Sequence, residues 1–248
     1  MRVVAAALLA LLSTGGCKCS KDKAPSVDAG LAPLAESSWL VPLDVPGFRP
    51  ASVAVPLGAV TPRPIVIALH GSADRAEWQC GAWRSIVGPH PFVLCPAGVE
   101  RRDLPGRSGW GTQERTAAEL RKALTALKKK YGAHVAGGPV VLAGYGPGAS
   151  RAIAIAKQEP SFFARLVLVN GGTRDWTAGN AAVFAHGKGK RVLFVCGMDA
   201  CRHDVDRAVM FARHAGIVAD AVSTETGAPL ERPLIRAIRG RYAWLVGP

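Results

Sequence analysis

The chain has 248 residues, 49% of them hydrophobic, with 31 basic against 18 acidic side chains and a formal charge of +13. That length allows one or two domains, and the hydrophobic share supports a packed core and excludes an intrinsically disordered chain. The basic balance favours anionic partners such as lipid headgroups, cell-wall polyanions or acidic substrates, although part of it lies on helix faces expected to be solvated, such as Lys128-Lys129-Lys130.

Met1-Arg2 supplies a short positive start, and Val3 to Leu12 is an unbroken apolar run, too short to span a bilayer as a mature helix. Small residues follow up to Gly16, so residues 1–16 read as a secretory signal peptide. Gly15-Gly16-Cys17 resembles a bacterial lipobox, with Thr14 where leucine is more usual. The resemblance implies cleavage before Cys17 and lipid attachment to its thiol. It implies an exported, membrane-anchored protein of the cell envelope, in the periplasm or at the cell surface. The alternative is an ordinary cleaved signal with a stray cysteine. Residues 17–38 are polar and unpatterned, as a tether would be, and the folded domain is expected over 39–248.

Trp39 to Val45 and Ala51 to Val55 read as two strands joined at Pro46-Gly47. Ile65-Val66-Ile67-Ala68-Leu69 is a continuous apolar run, the pattern of a strand buried on both faces of a parallel sheet. A helix is predicted from Trp78 to Val87 and a strand from Phe92 to Cys95, stopped by Pro96. A long loop leads to Thr112, which can cap a helix reaching Tyr131; Leu120, Leu124 and Leu127 repeat at helical spacing. A strand over 139–144, a helix over 148–158 and strands over 165–169, 191–196 and 217–222 follow. Further helices are predicted over 204–214 and 232–239. Alternating strand and helix means a mostly parallel, doubly wound α/β sheet with helices on both faces. Ligands in such sheets sit beyond the carboxyl ends of the strands, so the residues just after each strand carry the information.

Four of those strand ends resemble the α/β-hydrolase fold. His70-Gly71-Ser72 closes the first long strand, where the fold has its oxyanion loop. Gly144-Tyr145-Gly146-Pro147-Gly148 stands where the nucleophile elbow Gly-x-Ser-x-Gly belongs. Asp199 ends the segment that presents the acid, with Asp204 and Asp206 as rivals. The loop from Val222 to Leu230 is where the histidine is expected. The resemblance also exposes what is missing. Gly146 has no side chain with which to attack a carbonyl, and Pro147 has no N–H to donate to an oxyanion. No histidine follows His214, although the family order places the base last. No catalytic residue is therefore expected, and Asp199 is at most a vestigial acid. Ser72, Ser108 and Ser150 are the other serines near these segments, each more simply read as a cap, loop or packing residue.

The exported setting makes Cys80, Cys95, Cys196 and Cys201 candidates for disulfides. Three pairings are open; Cys80–Cys95 and Cys196–Cys201 are the pairs expected from the order of elements. Cys-x4-Cys without clustered histidines does not suit zinc, and neither a metal nor a cofactor is expected. Nucleic acid is not expected as a partner, since no binding motif is visible. Arg101, Arg102, Arg107 and Trp110 are expected on the rim of a cleft, with Trp78, Trp83 and Trp176 nearby or in the core. The reading reached is a non-catalytic binding or scaffold protein with an envelope ligand or protein partner. The competing readings are a divergent serine hydrolase, esterase or peptidase-like, and a structural envelope protein whose cleft is filled.

Overall fold

The computed structural model describes residues 30–225 and 230–247. The leader, Cys17 and the loop residues 226–229 lie outside them.

In chain order the elements are β1 (Leu40–Leu43), β2 (Ala51–Ala54), β3 (Ile65–Leu69), α1 (Ala76–Val87), β4 (Phe92–Cys95), β5 (Val99–Glu100), β6 (Ser108–Gly109), α2 (Gln113–Tyr131), β7 (Val141–Tyr145), α3 (Pro147–Ala156), β8 (Arg165–Val169), α4 (Ala178–His186), β9 (Arg191–Cys196), α5 (Asp199–His214), β10 (Val218–Ser223) and α6 (Arg232–Val246). Eight strands form one sheet in the order β1-β2-β4-β3-β7-β8-β9-β10. From β4 to β10 neighbouring strands run parallel; β1 and β2 form an antiparallel hairpin that pairs on to β4.

The strand pattern explains the two layers. Side chains alternate across a strand, so Ile65, Ile67 and Leu69 enter one core while Val66 and Ala68 enter the other. The first core packs against α2, α3, α4 and α5 through residues such as Leu120, Ile153, Phe184 and Val209. The second packs against α1 and α6 through Trp83, Ile86, Leu234 and Ile238. Complete burial of each such leucine or isoleucine contributes about 1.5–3 kcal/mol, which is why continuous apolar runs select the interior of a two-faced sheet.

Several boundaries differ from the sequence expectation. Helix α5 starts at Asp199 rather than Asp204, and α6 runs to Val246 rather than ending near Arg239. Helix α4 has no predicted counterpart; its Ala-Gly-Asn-Ala-Ala start carries little amphipathic signal, and Thr177 caps it by accepting from Asn180 N. The loop after Pro96 folds into the β5–β6 ribbon. Residues 31–38, expected as part of a tether, lie on the folded body: Leu31 N and Leu34 N donate to Val60 O and Ala59 O. Glu36 there accepts from the Tyr131 hydroxyl at 2.9 Å and pairs with Lys130.

Both expected disulfides are present. Cys80–Cys95 ties α1 to the end of β4 with Cα atoms 5.8 Å apart, and Cys196–Cys201 ties the end of β9 to α5 at 5.3 Å. Such bonds persist in oxidising, exported compartments. No helix among the described residues is long and apolar enough to cross a membrane. The Cys80→Ala/Cys95→Ala double variant is expected to lose about 3 kcal/mol of stability, and the Cys196/Cys201 pair less, since its loop is shorter. Denaturant midpoints of the two variants check the order.

Candidate functional site

The ends of β3, β7, β8 and β9 meet at the turn from Tyr145 into α3. Gly146 takes φ +52° and ψ −119°, a conformation that side chains rarely adopt. Gly146 N donates to Val169 O at 2.8 Å, fixing the turn against β8. Pro147 occupies the first turn of α3, where its missing N–H costs no helical bond. The flanking glycines are forced by close approach. A β-carbon on Gly144 would lie 2.4 Å from Gly148 O, and one on Gly148 would lie 2.5 Å from the carbonyl oxygens of Leu69 and His70. A β-carbon on Gly146 would meet no atom within 4 Å. The turn thus holds its central residue at an open apex, and that residue has no side chain.

His70 is fully buried and serves its own loop. One ring nitrogen bonds Gly71 O at 2.8 Å and the other Ala97 O at 3.0 Å. Trp110 stacks on the imidazole at 4.3 Å and donates its indole N–H to His70 O at 2.8 Å. Gly71 lies against the Tyr145 ring, where a β-carbon would come within 2.6 Å of Cδ1. Burial pushes the Tyr145 hydroxyl above its ordinary pKa. Ser72 is exposed and accepts from Arg101, which also pairs with Asp103.

The expected rim therefore divides. Trp110 and Arg101 stand over the His70–Ser72 segment. Arg107 turns towards α1 and lies over Trp78 at 4.1 Å, while Arg102 is exposed and makes no hydrogen bond or ion pair among the described residues. Trp83 and Trp176 are core residues; Trp78 is not.

Asp199 is the first residue of α5. Its carboxylate is exposed and pairs with Arg202, and it bonds no group of the turn. Arg202 also donates to Thr224 O at 2.7 Å. Asp204 is buried between Arg174 and Arg207; the hydrogen bond from Arg174, more than any other contact, holds its carboxyl below the ordinary range. Asp206 and His203 are exposed. The sequence around Thr226-Gly227-Ala228-Pro229 has no histidine, and its placement lies outside the described residues.

Three features escaped sequence reasoning. Asn170 ends β8 at φ +48° and braces the site: its N–H donates to Val195 O, and its Oδ1 accepts from Gly197 N at 2.6 Å. Gly171 then packs on the turn, where a β-carbon would lie 2.3 Å from Gly146 O. Asn followed by two glycines at a strand end was the available signal, because both types tolerate positive φ. The second feature is the partner of Ser150: its hydroxyl donates to the Asp175 carboxylate inside a cavity of about 410 Å3 that also touches Pro147, Arg151 and Lys157. The third is Glu119 on α2, buried and accepting from Gly98 N at 2.8 Å beneath the loop that His70 holds.

No protein-family model matches the chain, and no curated protein does. Solved structures do match its fold. Est1E from Butyrivibrio proteoclasticus aligns with a TM-score of 0.58 at 15% identity, over 84% of this chain and 99% of that one. Esterase PE8 gives 0.56 at 14%, over 83% and 100%. A dienelactone hydrolase-like promiscuous phosphotriesterase, P91, from metagenomic libraries gives 0.56 at 14%, over 84% and 98%. The architecture is an α/β-hydrolase fold. At these identities the likeness is one of fold.

Burial raises the Glu119 pKa, against lowering by the backbone N–H groups of Gly98 and Ala97. The native state therefore binds this proton more readily than the unfolded chain. The stabilisation this brings is complete below about pH 4.3, the ordinary glutamate value, and is lost as the pH climbs through the raised one. Glu119→Gln keeps an oxygen acceptor and cannot ionise. Its urea midpoint is expected to fall less than that of the wild type between pH 4 and pH 7.

Proposed function

We propose that this is an exported, lipid-anchored protein that uses an α/β-hydrolase fold for binding or scaffolding rather than for hydrolysis. The observation that carries the reading is the turn at Gly146. Its backbone is shaped to present a side chain at an open apex, and the residue there supplies none. Losing a serine nucleophile alone costs about 10⁶ in turnover in a measured serine protease. Pro147 removes an oxyanion donor, a loss of about 10²–10³, and Asp199 is paired with an arginine rather than with a base. His70-Gly71-Ser72 then serves as a structural loop, with the buried His70 ring enclosed between the Gly71 and Ala97 carbonyls. The ligand would be held beyond the strand ends, under the rim of Trp110 and Arg101, and the tether would run from Cys17.

A second reading has its own observation. Ser150 lies one helical turn beyond the apex, and its hydroxyl already donates to Asp175 in a cavity that Arg151 and Lys157 line. A divergent hydrolase, esterase or peptidase-like, would use this serine with the carboxylate as its base. The esterases among the fold's solved neighbours favour this alternative, and the geometry of the elbow favours the first reading.

A broad fluorophosphonate probe and activated esters separate the two. Wild type and Gly146→Ser are expected to show neither stoichiometric labelling nor turnover, because a serine without a base is a poor nucleophile near neutral pH. Gly146→Ser/Pro147→Ala restores the N–H and is expected to remain inactive. Labelling of wild type at one serine, abolished by Ser150→Ala, would establish the second reading. For the anchor, mass spectrometry of the membrane-associated protein is expected to show a chain beginning at a lipid-modified Cys17; an intact, unmodified N-terminus would refute it.

A further inference from the structure

A second cavity, of about 200 Å3, lies on the α1 side of the Ala97 loop, lined by Arg49, Ser52, Arg75, Glu77 and Ser108. Its donors come from three separate segments. Arg49 leads into β2, and its guanidinium donates to Ser108 Oγ at 2.7 Å. Ser108 is 4% exposed and Ser52 7% exposed. Neither serine hydroxyl donates to any acceptor among the described residues. Arg75 precedes α1; its guanidinium likewise bonds no acceptor among them, and its Nε is buried. Trp78 is half exposed and supports two of the arginines by its ring, Arg75 at 5.1 Å and Arg107 at 4.1 Å.

Buried donors in native proteins ordinarily have partners, and many arginines of this chain donate to carbonyls or carboxylates, Arg84, Arg151 and Arg174 among them. Arg49, Arg75 and Arg107 pair with no carboxylate among the described residues. Glu77 is exposed in the first turn of α1, the place where an acidic side chain complements the helix dipole. We propose that this cavity is a binding site for a phosphate group, free or as a phosphomonoester. Arg49 and Arg75 supply forked charged donors, and Ser52 and Ser108 supply hydroxyls. Donors converging from three segments suit a tetrahedral oxyanion with three acceptor oxygens better than a planar carboxylate. The site rests on neither reading of the elbow, since none of its residues belongs to that turn.

Isothermal titration of the purified protein with inorganic phosphate and with glycerol 3-phosphate, at constant ionic strength, tests the site. Saturable binding of one or both is expected, the tighter ligand identifying the source, with acetate much weaker. Arg49→Gln and Arg75→Gln are each expected to weaken binding at least about tenfold, the loss of one charge-assisted bond. Arg102→Gln, an exposed arginine outside the cavity, is expected to leave it unchanged. Arg49→Gln breaks the bond to Ser108 and could loosen the loop; Ser52→Ala removes only an unpartnered hydroxyl and is expected to weaken binding about threefold with no change in melting temperature. No saturable binding by wild type, equal binding of acetate, or affinities in Arg75→Gln and Ser52→Ala equal to wild type would overturn the proposal.

Discussion

The functional end of this molecule depends on one steric constraint: three backbones meet with no room for a β-carbon. Residue 144 must be glycine because α3 starts against it at Gly148 and Ala149, and residue 148 must be glycine because it is pressed against the carbonyls of Leu69 and His70 at the end of β3. Gly171 closes the same contact from β8. Once these backbones touch, the rest of the rim follows. The buried His70 ring lies between Gly71 O and Ala97 O, Trp110 covers it, and Gly98 N–H donates to Glu119 below. A change at any of the three glycines would disturb the loop as much as the turn.

That constraint also leaves the turn's central residue free of packing demands. Holding a non-glycine residue at such a φ costs of order 1–3 kcal/mol, strain that active sites retain because function requires it. Glycine removes the penalty at Gly146. Pro147 then pre-sets the first turn of α3. Both residues suit the backbone of the turn they occupy. The close packing of Gly144 and Gly148 is independent of what residue 146 carries, since a β-carbon there would meet no atom within 4 Å.

Much of this was legible in the sequence, for a physical reason. Parallel strands buried on both faces must be continuous apolar runs, so Ile65–Leu69, Phe92–Cys95, Arg165–Val169 and Arg191–Cys196 stand out. Glycines forced by steric contact are equally visible, which is why the elbow could be read from Gly144 to Gly148. Elements without a strong periodic face were not legible. Helix α4 starts with small residues, and the two-residue strands of the ribbon carry no pattern at all. The docking of residues 31–38 rests on main-chain bonds and on Leu34 and Glu36 meeting partners far along the chain, which nothing local announces. Contacts between distant segments were likewise beyond reach: nothing local says that Ser150 meets Asp175 or that Arg49 meets Ser108.

The basic composition takes on a different meaning once its contacts are known. Many arginines point their guanidinium groups at main-chain carbonyls left over at the ends of elements. Arg84 donates to Val55 O, Arg151 to Gly111 O, Arg165 to Leu245 O and Gly247 O, Arg202 to Thr224 O, and Arg213 to Ala219 O. A buried carbonyl needs a donor, and arginine reaches one from a distance with several N–H groups in a fixed fork. Part of the arginine count in this chain therefore closes loops and helix ends on to the sheet. Against that background an arginine that faces a cavity without an acceptor is informative, whereas Arg102, also without one, is exposed on the surface. Arg75 shares the geometry of the others, reaching over a neighbouring segment with Nε out of solvent, yet meets no carbonyl or carboxylate. What distinguishes it is the cavity it faces, where the groups that would answer a guanidinium are two serine hydroxyls that can themselves donate.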